Sequence, residues 1–188
     1  MTKKGTIKDG LVEEFYDNGQ LRSRKNYKDG KKHGLQEGSH KNGQLKYRGN
    51  FNNGKRDGLI EFESYYENGQ LSYKRTFKNG KQVCLREWFY ENGQLNERGN
   101  YKDGKQDGLW ETFYWSNNNP FILHGSIKTR ENYKDGQPDG PWEKFHENGE
   151  LYFTENYKKG KQHGLREYFD EDGNLTKTEE YEDGELIE

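Results

Sequence analysis

Apolar residues along this chain arrive in short bursts divided by glycine-containing turns, not at the three-to-four-residue spacing of a helix. Two examples are Leu85-Arg-Glu-Trp-Phe-Tyr90 and Leu95-Asn-Glu-Arg-Gly-Asn-Tyr101, both rich in strand-favouring aromatic residues. Asn92-Gly93 separates them and Asp103-Gly104 follows. Such dipeptides tolerate the positive φ that both central residues of a type I′ hairpin turn require. Glycine recurs too often for helices of several turns. The pattern predicts a chain of β-hairpins.

Repetition sets their number. One landmark reads Tyr27-Lys28-Asp29-Gly30, Phe51-Asn52-Asn53-Gly54, Phe77-Lys78-Asn79-Gly80 and Tyr101-Lys102-Asp103-Gly104, and returns at Tyr133, Tyr157 and Tyr181. Its spacings are 24, 26, 24, 32, 24 and 24 residues. A second landmark interleaves with it, from Asn18-Gly19-Gln20-Leu21 through Asn42, Asn68, Asn92 and Asn148 to Asp172-Gly173-Asn174-Leu175. Regular self-similarity at this period marks a repeat architecture. The expected fold is all-β: an elongated single-layer antiparallel meander of about seven ~24-residue hairpins and some fourteen strands. Residues 1–188 form one repeat domain with units starting near 5, 31, 55, 81, 105, 137 and 161.

Register is testable on paper. Taken as two-residue loops, the Asn-Gly turns set Tyr90 opposite Leu95, Glu13 opposite Arg24, Glu37 opposite Arg48 and Glu63 opposite Lys74. Opposite charges directly across a strand pair are favourable. Around Asp103-Gly104 and Asn53-Gly54 the same construction pairs Gly99 with Gly108 and Gly49 with Gly58, leaving shelves for flat aromatic rings. Neither face is purely apolar, so stability must come from rings stacked between successive units and from the hydrogen-bond ladder.

The unit Gly-Leu-x-Glu-x-(Phe/Tyr)-Tyr-x-Asn-Gly-x-Leu…Tyr-Lys-Asp-Gly-Lys resembles the MORN-repeat variant of many bacterial proteins, over residues ~5–188. The resemblance implies single-layer hairpin arrays that serve as interaction scaffolds and carry no catalytic residues of their own. Some bacterial members are labelled YwqK-type antitoxins. The chain departs from the founding MORN motif where Lys31, Lys55, Lys81 and Lys105 stand in place of an aromatic residue. Phospholipid binding is therefore not carried over.

Composition sharpens this. Of 188 residues 24 are Gly, 3 are Pro and 34% are charged, while Leu, Ile, Val and Phe together make only 31. That is too little aliphatic material for a thick core, though 14 Tyr, 10 Phe and 4 Trp argue against disorder. Enzyme folds with deep cores are disfavoured. Residues 1–94 carry 19 Lys+Arg against 12 Asp+Glu, a net +7; residues 95–188 carry 12 against 21, a net −9. The acidic half argues against nucleic acid as partner. No run reaches the ~18 apolar residues of a membrane span. A lone Cys84 excludes an internal disulfide framework and fits a reducing cytoplasm; an exported chain with its signal trimmed is the alternative.

Motifs for chemistry are missing. The five histidines are His33, His40, His124, His146 and His163. His33 and His163 share a slot with Asp57, Asp107 and Asp139, which reads as a polar position at a strand end. Asp170-Glu171-Asp172-Gly173-Asn174 falls on a turn landmark and lacks the spacing of a calcium loop. Cys84 replaces the inner glycine of its unit and reads as a small buried thiol. No cofactor or metal is expected.

Departures from the period are informative. The 32-residue interval contains an insertion at 116–123, after Trp115, that bears Phe121, Ile122 and Leu123. Trp110, Trp115 and Trp142 flank it. These six residues are the candidate partner-binding site, since apolar loops on a rigid scaffold serve as contact points. A two-residue excess near Ile60–Phe62 reads as a bulge. The expected function is a non-catalytic scaffold binding another protein, with an antitoxin or immunity protein as a special case. Self-association, edge strand to edge strand or head to tail, is open to it. The alternative is an aromatic-repeat module that binds carbohydrate or choline at a cell surface.

Overall fold

The computed structural model describes residues 9–55, 60–115 and 125–187. Their strands are β1 (Gly10–Phe15), β2 (Leu21–Lys28), β3 (Lys31–Ser39), β4 (Leu45–Phe51), β5 (Ile60–Tyr65), β6 (Leu71–Lys78), β7 (Lys81–Phe89), β8 (Leu95–Lys102) and β9 (Lys105–Phe113). They continue as β10 (Ile127–Lys134), β11 (Gln137–Pro138), β12 (Gly140–Phe145), β13 (Leu151–Lys158), β14 (Lys161–Gln162), β15 (Gly164–Phe169), β16 (Leu175–Glu182) and β17 (Glu185–Leu186). All 17 belong to one antiparallel meander sheet, and no helix occurs among the described residues. The count exceeds fourteen partly because β11/β12 and β14/β15 are single strands broken by a bulge. Two compact units divide the chain, one of Met1–Cys84 with Glu91–Gly93 and one of Leu85–Tyr90 with Gln94–Glu188.

The two landmarks build different turns. At Asp29-Gly30, Asn53-Gly54, Asn79-Gly80, Asp103-Gly104, Asp135-Gly136, Lys159-Gly160 and Asp183-Gly184 both residues have positive φ, as type I′ demands. At Asn18-Gly19 only the glycine does. There Gly19 N donates to Tyr16 O (2.9 Å) and Tyr16 N to Gln20 O (2.8 Å), closing a three-residue loop of type I with a left-handed glycine. The Asn18 carboxamide oxygen accepts from Gln20 N at 3.1 Å and fixes the bend. The two-residue loop expected at Asn92-Gly93 is corrected in the same way, because Tyr90 N donates to Gln94 O at 2.8 Å. Tyr90 therefore faces Gln94 and not Leu95.

Register in the strand bodies nonetheless holds, since a one-residue bulge between Glu14 and Phe15 cancels the odd loop residue. Glu13 lies opposite Arg24, Glu37 opposite Arg48 and Glu63 opposite Lys74. On the far side of the type I′ turns a larger shift appears. Tyr101 pairs with Gln106, but Gly99 pairs with Trp110, so the expected Gly99–Gly108 pair is not made. Gly49 pairs with Phe62, a shift of four residues from the Asn52–Lys55 bridge, two more than at Gly99, and Gly58 lies outside the described residues. Elsewhere the outer strand carries two extra residues, made possible by positive φ at Gly34, Gly108, Gly140 and Gly164. A shift of two preserves which face each side chain takes. Ile60–Ser64 runs in unbroken register with β6, while against β4 the two-residue excess falls between Lys55 and Phe62.

Each strand alternates between two faces. In the first unit one face stacks Tyr47 on Phe62 (6.0 Å) and Phe62 on Tyr73 (5.9 Å). In the second, Tyr101, Trp110, Tyr133, Trp142 and Tyr157 form a chain of ring contacts with centroids 4.8–6.1 Å apart. The buried apolar side chains are Phe62, Phe77, Trp110 and Phe113. The glycine shelves exist, with the ring directly opposite lying on the glycine: Tyr47 on Gly38, Phe62 on Gly49 and Trp110 on Gly99.

Candidate interaction face

Of the six expected site residues, Trp110, Trp115 and Trp142 are among the described residues. Trp110 is buried, its Nε1 donating to Asn100 O at 3.2 Å. Trp142 is half-buried in the same ring chain and donates to Asn132 O at 3.2 Å. Both indoles are structural. Trp115 is 52% exposed and stacks on Tyr90 at 5.6 Å. Phe121, Ile122 and Leu123 lie outside the described residues.

The histidines are built into the lattice. Tyr16, His40, Tyr90 and His146 stand at position one of three-residue turns, and Tyr114 at the start of the longer loop that closes on Ser126; each reaches a carbonyl one repeat further on. The hydroxyls of Tyr16, Tyr90 and Tyr114 donate to Ser39 O, Phe113 O and Phe145 O at 2.7–3.0 Å. The Nε2 atoms of His40 and His146 do the same for Tyr65 O and Phe169 O at 3.0 Å. The Nδ2 groups of Asn18, Asn42, Asn68 and Asn148 each bridge to the following turn. Asp170–Asn174 is a turn, as expected: Asp170 Oδ1 accepts from the amides of Asp172 and Asn174, which holds its carboxyl below the usual range. Among the described residues no three His, Cys, Asp or Glu side chains are grouped to hold a metal ion. Cys84 is exposed and not buried, because φ of 61° at this bulge turns the side chain outward where glycine usually stands.

The face opposite the ring stacks carries a charge ladder, one residue per strand. In the first unit Arg24 pairs with Glu13 at 2.8 Å and Glu37 at 3.7 Å, and Arg48 with Glu63 at 3.7 Å. In the second, Glu111 sits between Arg98 (2.6 Å) and Arg130 (3.4 Å), and Arg130 reaches Glu143 at 3.6 Å. Glu111 is buried, so two guanidinium groups replace the water it has lost. Beyond, Thr154 and Thr178 take the basic positions and the ladder becomes neutral on alternate strands. Arg98 and Arg130 also cover the rings of Phe113 and Phe145 at 5.6 and 5.5 Å.

Two residues before Glu13, Glu37, Glu87, Glu111 and Glu167, on the same face, stands a leucine; in β5 the residue two before Glu63 is Glu61. Leu11 is 56% exposed and Leu35 38%; in the second unit Leu85 and Leu109 are each 42% and Leu165 49%. Pro141 takes the slot in β12. Between these apolar positions lie Asn26, Asn50, Asn132 and Asn156 on the intervening strands. The result is an apolar-polar row beside a paired-charge row. Only the recurring Gly-Leu-x-Glu could have announced it, and its leucine reads as core until the strands are seen to lack a covering layer.

The arrangement offers recognition surface and few groups poised for reaction. A sequence profile described as MORN repeat variant matches residues 8–29, 32–53, 60–79, 85–103, 138–159 and 162–187, more than half of the chain. No curated protein matches it.

Proposed function

We propose, from the premise that the chain belongs to the MORN repeat variant family, that it is a non-catalytic scaffold whose leucine-lined face binds another protein. The observation that carries this reading is the leucine row, Leu11, Leu35, Leu85, Leu109 and Leu165, held at one repeat position and exposed at each of them. Leucines held at one repeat position without cover cost solvation and add nothing to the stacks behind them. The paired charges alongside orient a partner without demanding a counter-ion. An antitoxin or immunity protein is the special case in which that partner is a toxic neighbour's product.

The test is capture with the purified chain, followed by reconstitution with the captured protein. Leu109→Lys/Leu165→Lys, exposed changes that leave the fold intact, abolishes binding, while Trp115→Ser retains it. Binding that survives the leucine pair, or no reproducible partner, refutes the reading. Relief of toxicity on co-expression with a neighbouring gene supports the special case.

The carbohydrate- or choline-binding alternative draws support from one feature, the exposed Trp115 stacked on Tyr90. Against it, Trp110 and Trp142 already have rings on their faces or edges. Retention on a choline or glycan column that Trp115→Ser abolishes would favour it.

A further inference from the structure

We propose that copies of this chain associate edge to edge, the lysine-bearing turns of one copy's first unit docking on the acidic turns of another copy's second unit. This goes beyond the leucine face and does not depend on it.

A meander places its two kinds of turn at opposite edges of the sheet. In the first unit the type I′ turns at 28–31, 52–55 and 78–81 carry Lys28, Lys31, Lys55, Lys78 and Lys81, all exposed, with Asp29 the one acid among them. In the second unit the three-residue turns at 146–150 and 170–174 carry Glu147, Glu150, Glu171 and Asp172, also exposed, with no Lys or Arg; His146 is half-buried and spends its Nε2 on Phe169 O. None of these nine side chains makes an ion pair among the described residues. The contrast is with the sheet face, where Glu13 to Arg48 and Arg98 to Glu143 are paired strand by strand; at these edges Asp9, whose carboxylate accepts from Gly30 N at 3.1 Å, offers Lys28 an opposite charge without pairing with it.

Charge alone would suit many partners. Spacing selects a second copy. Successive turns along either edge are two strands apart, about 9.5 Å. Contacts between neighbouring turns fix that step: Gly54 N donates to Lys32 O at 2.8 Å on the lysine edge, and Asn148 Nδ2 to Glu171 O at 2.8 Å on the acidic one. Two edges cut from one lattice share a period, so lysine turns meet acidic turns without mismatch. The other edges are mixed. Lys41 interrupts the acids of the first unit, and Glu182, Asp183 and Glu185 interrupt the lysines of the second. The contact is heterologous: the surface one copy offers differs from the surface it meets on the next.

Sedimentation velocity on the full chain tests this at about 20 mM and about 500 mM salt, where screening differs severalfold. Wild type is expected to associate with rising concentration at low salt, weakening at least about tenfold at high salt. Lys28→Glu/Lys55→Glu/Lys78→Glu/Lys81→Glu alone, and Glu147→Lys/Glu150→Lys/Glu171→Lys alone, are expected to stay monomeric with unchanged circular dichroism. An equimolar mixture of the two restores association, since each supplies the edge the other lost. Leu109→Lys/Leu165→Lys leaves association unchanged, which separates this contact from partner binding. A wild type that is monomeric at low salt overturns the proposal, as does association indifferent to either charge reversal. Wild type that binds vesicles of phosphatidylserine and phosphatidylcholine through these lysines, without self-association, also overturns it and assigns the edge to an anionic surface.

Discussion

Gly99→Ala probes the contact on which the second unit's ring chain rests. A β-carbon at Gly99 would stand 2.6 Å from Trp110 Cγ and closer still to Cδ2 and Cε2, where ordinary carbon contact is about 3.5–4.0 Å. The φ of Gly99 is not positive, so alanine brings no backbone strain. The indole must therefore lift by about 1 Å. It cannot do so freely, being buried, hydrogen-bonded to Asn100 O and set between Tyr101 and Tyr133. Overpacking of this kind costs about 1–3 kcal/mol. Alanine returns about 0.4–1 kcal/mol by restricting the unfolded chain. The net loss is about 1–2 kcal/mol, or several degrees in Tm for a chain of this length. Urea unfolding followed by tryptophan fluorescence reads it, and Trp110→Leu completes the cycle: in that background Gly99→Ala becomes neutral or stabilising. A Gly99→Ala protein as stable as wild type, or equally destabilised without the indole, would show that the ring does not lie on the glycine.

Two further outcomes follow. Cys84 holds φ of 61° at a bulge that other units give to glycine; left-handed geometry costs a non-glycine residue about 1–2 kcal/mol, and glycine forfeits about 0.5–1 kcal/mol of that in the unfolded chain. Cys84→Gly is thus expected to raise the urea midpoint, a gain of about 0.5–1 kcal/mol, while Cys84→Val lowers it; a destabilised glycine variant refutes the strain. Burial pushes the phenols of Tyr65, Tyr90, Tyr114, Tyr133 and Tyr157 above their ordinary value near 10, with Glu131 adding to the effect at Tyr133. A raised folded value gives stability fully present below about pH 10 and lost as pH climbs through the folded values. Strand circular dichroism and tyrosinate absorbance are expected to change together above pH 10, later in Tyr133→Phe, and tyrosinate appearing well before unfolding would refute the linkage.

Much of the fold was legible because Asn-Gly and Asp-Gly dipeptides encode bends with few backbone solutions. The Glu13–Arg24 and Glu37–Arg48 pairs followed from spacing even though the loop type was wrong, since Gly19's extra loop residue and the bulge after Glu14 cancel. The Gly99–Trp110 register was not legible. It needs two extra residues around Gly108, and nothing in Asp107-Gly108-Leu109 distinguishes a bulge from continuous strand until its partner is known. That same shift sets Glu111 against Arg98, and Arg130 meets Glu111 across the inserted loop between β9 and β10, so the ladder was half visible: pairs within an Asn-Gly hairpin could be counted, and pairs across the type I′ turns or the insertion could not. For the candidate site, large aromatics near an irregular interval suggested a patch, but tryptophan area is equally useful inside a stack. Trp110 and Trp142 went there, while the smaller leucines were left outside.

Holding and binding thus fall to different positions of one repeat. Rings lie on one face, and carbonyl bridges from Tyr16, His40, Tyr90, Tyr114 and His146 tie their turns to the next repeat. Each repeat thereby supports its neighbour, as a quasi-one-dimensional array requires. The leucine positions take no part in those bridges, and neither do the edge lysines. A substitution at Leu109 or Lys55 therefore changes what the surface meets without loosening the lattice, whereas one at Tyr114 or Gly99 loosens the lattice first. In a single-layered sheet this separation replaces the usual division between core and surface: what matters is which side of the pleat, and which edge, a residue occupies.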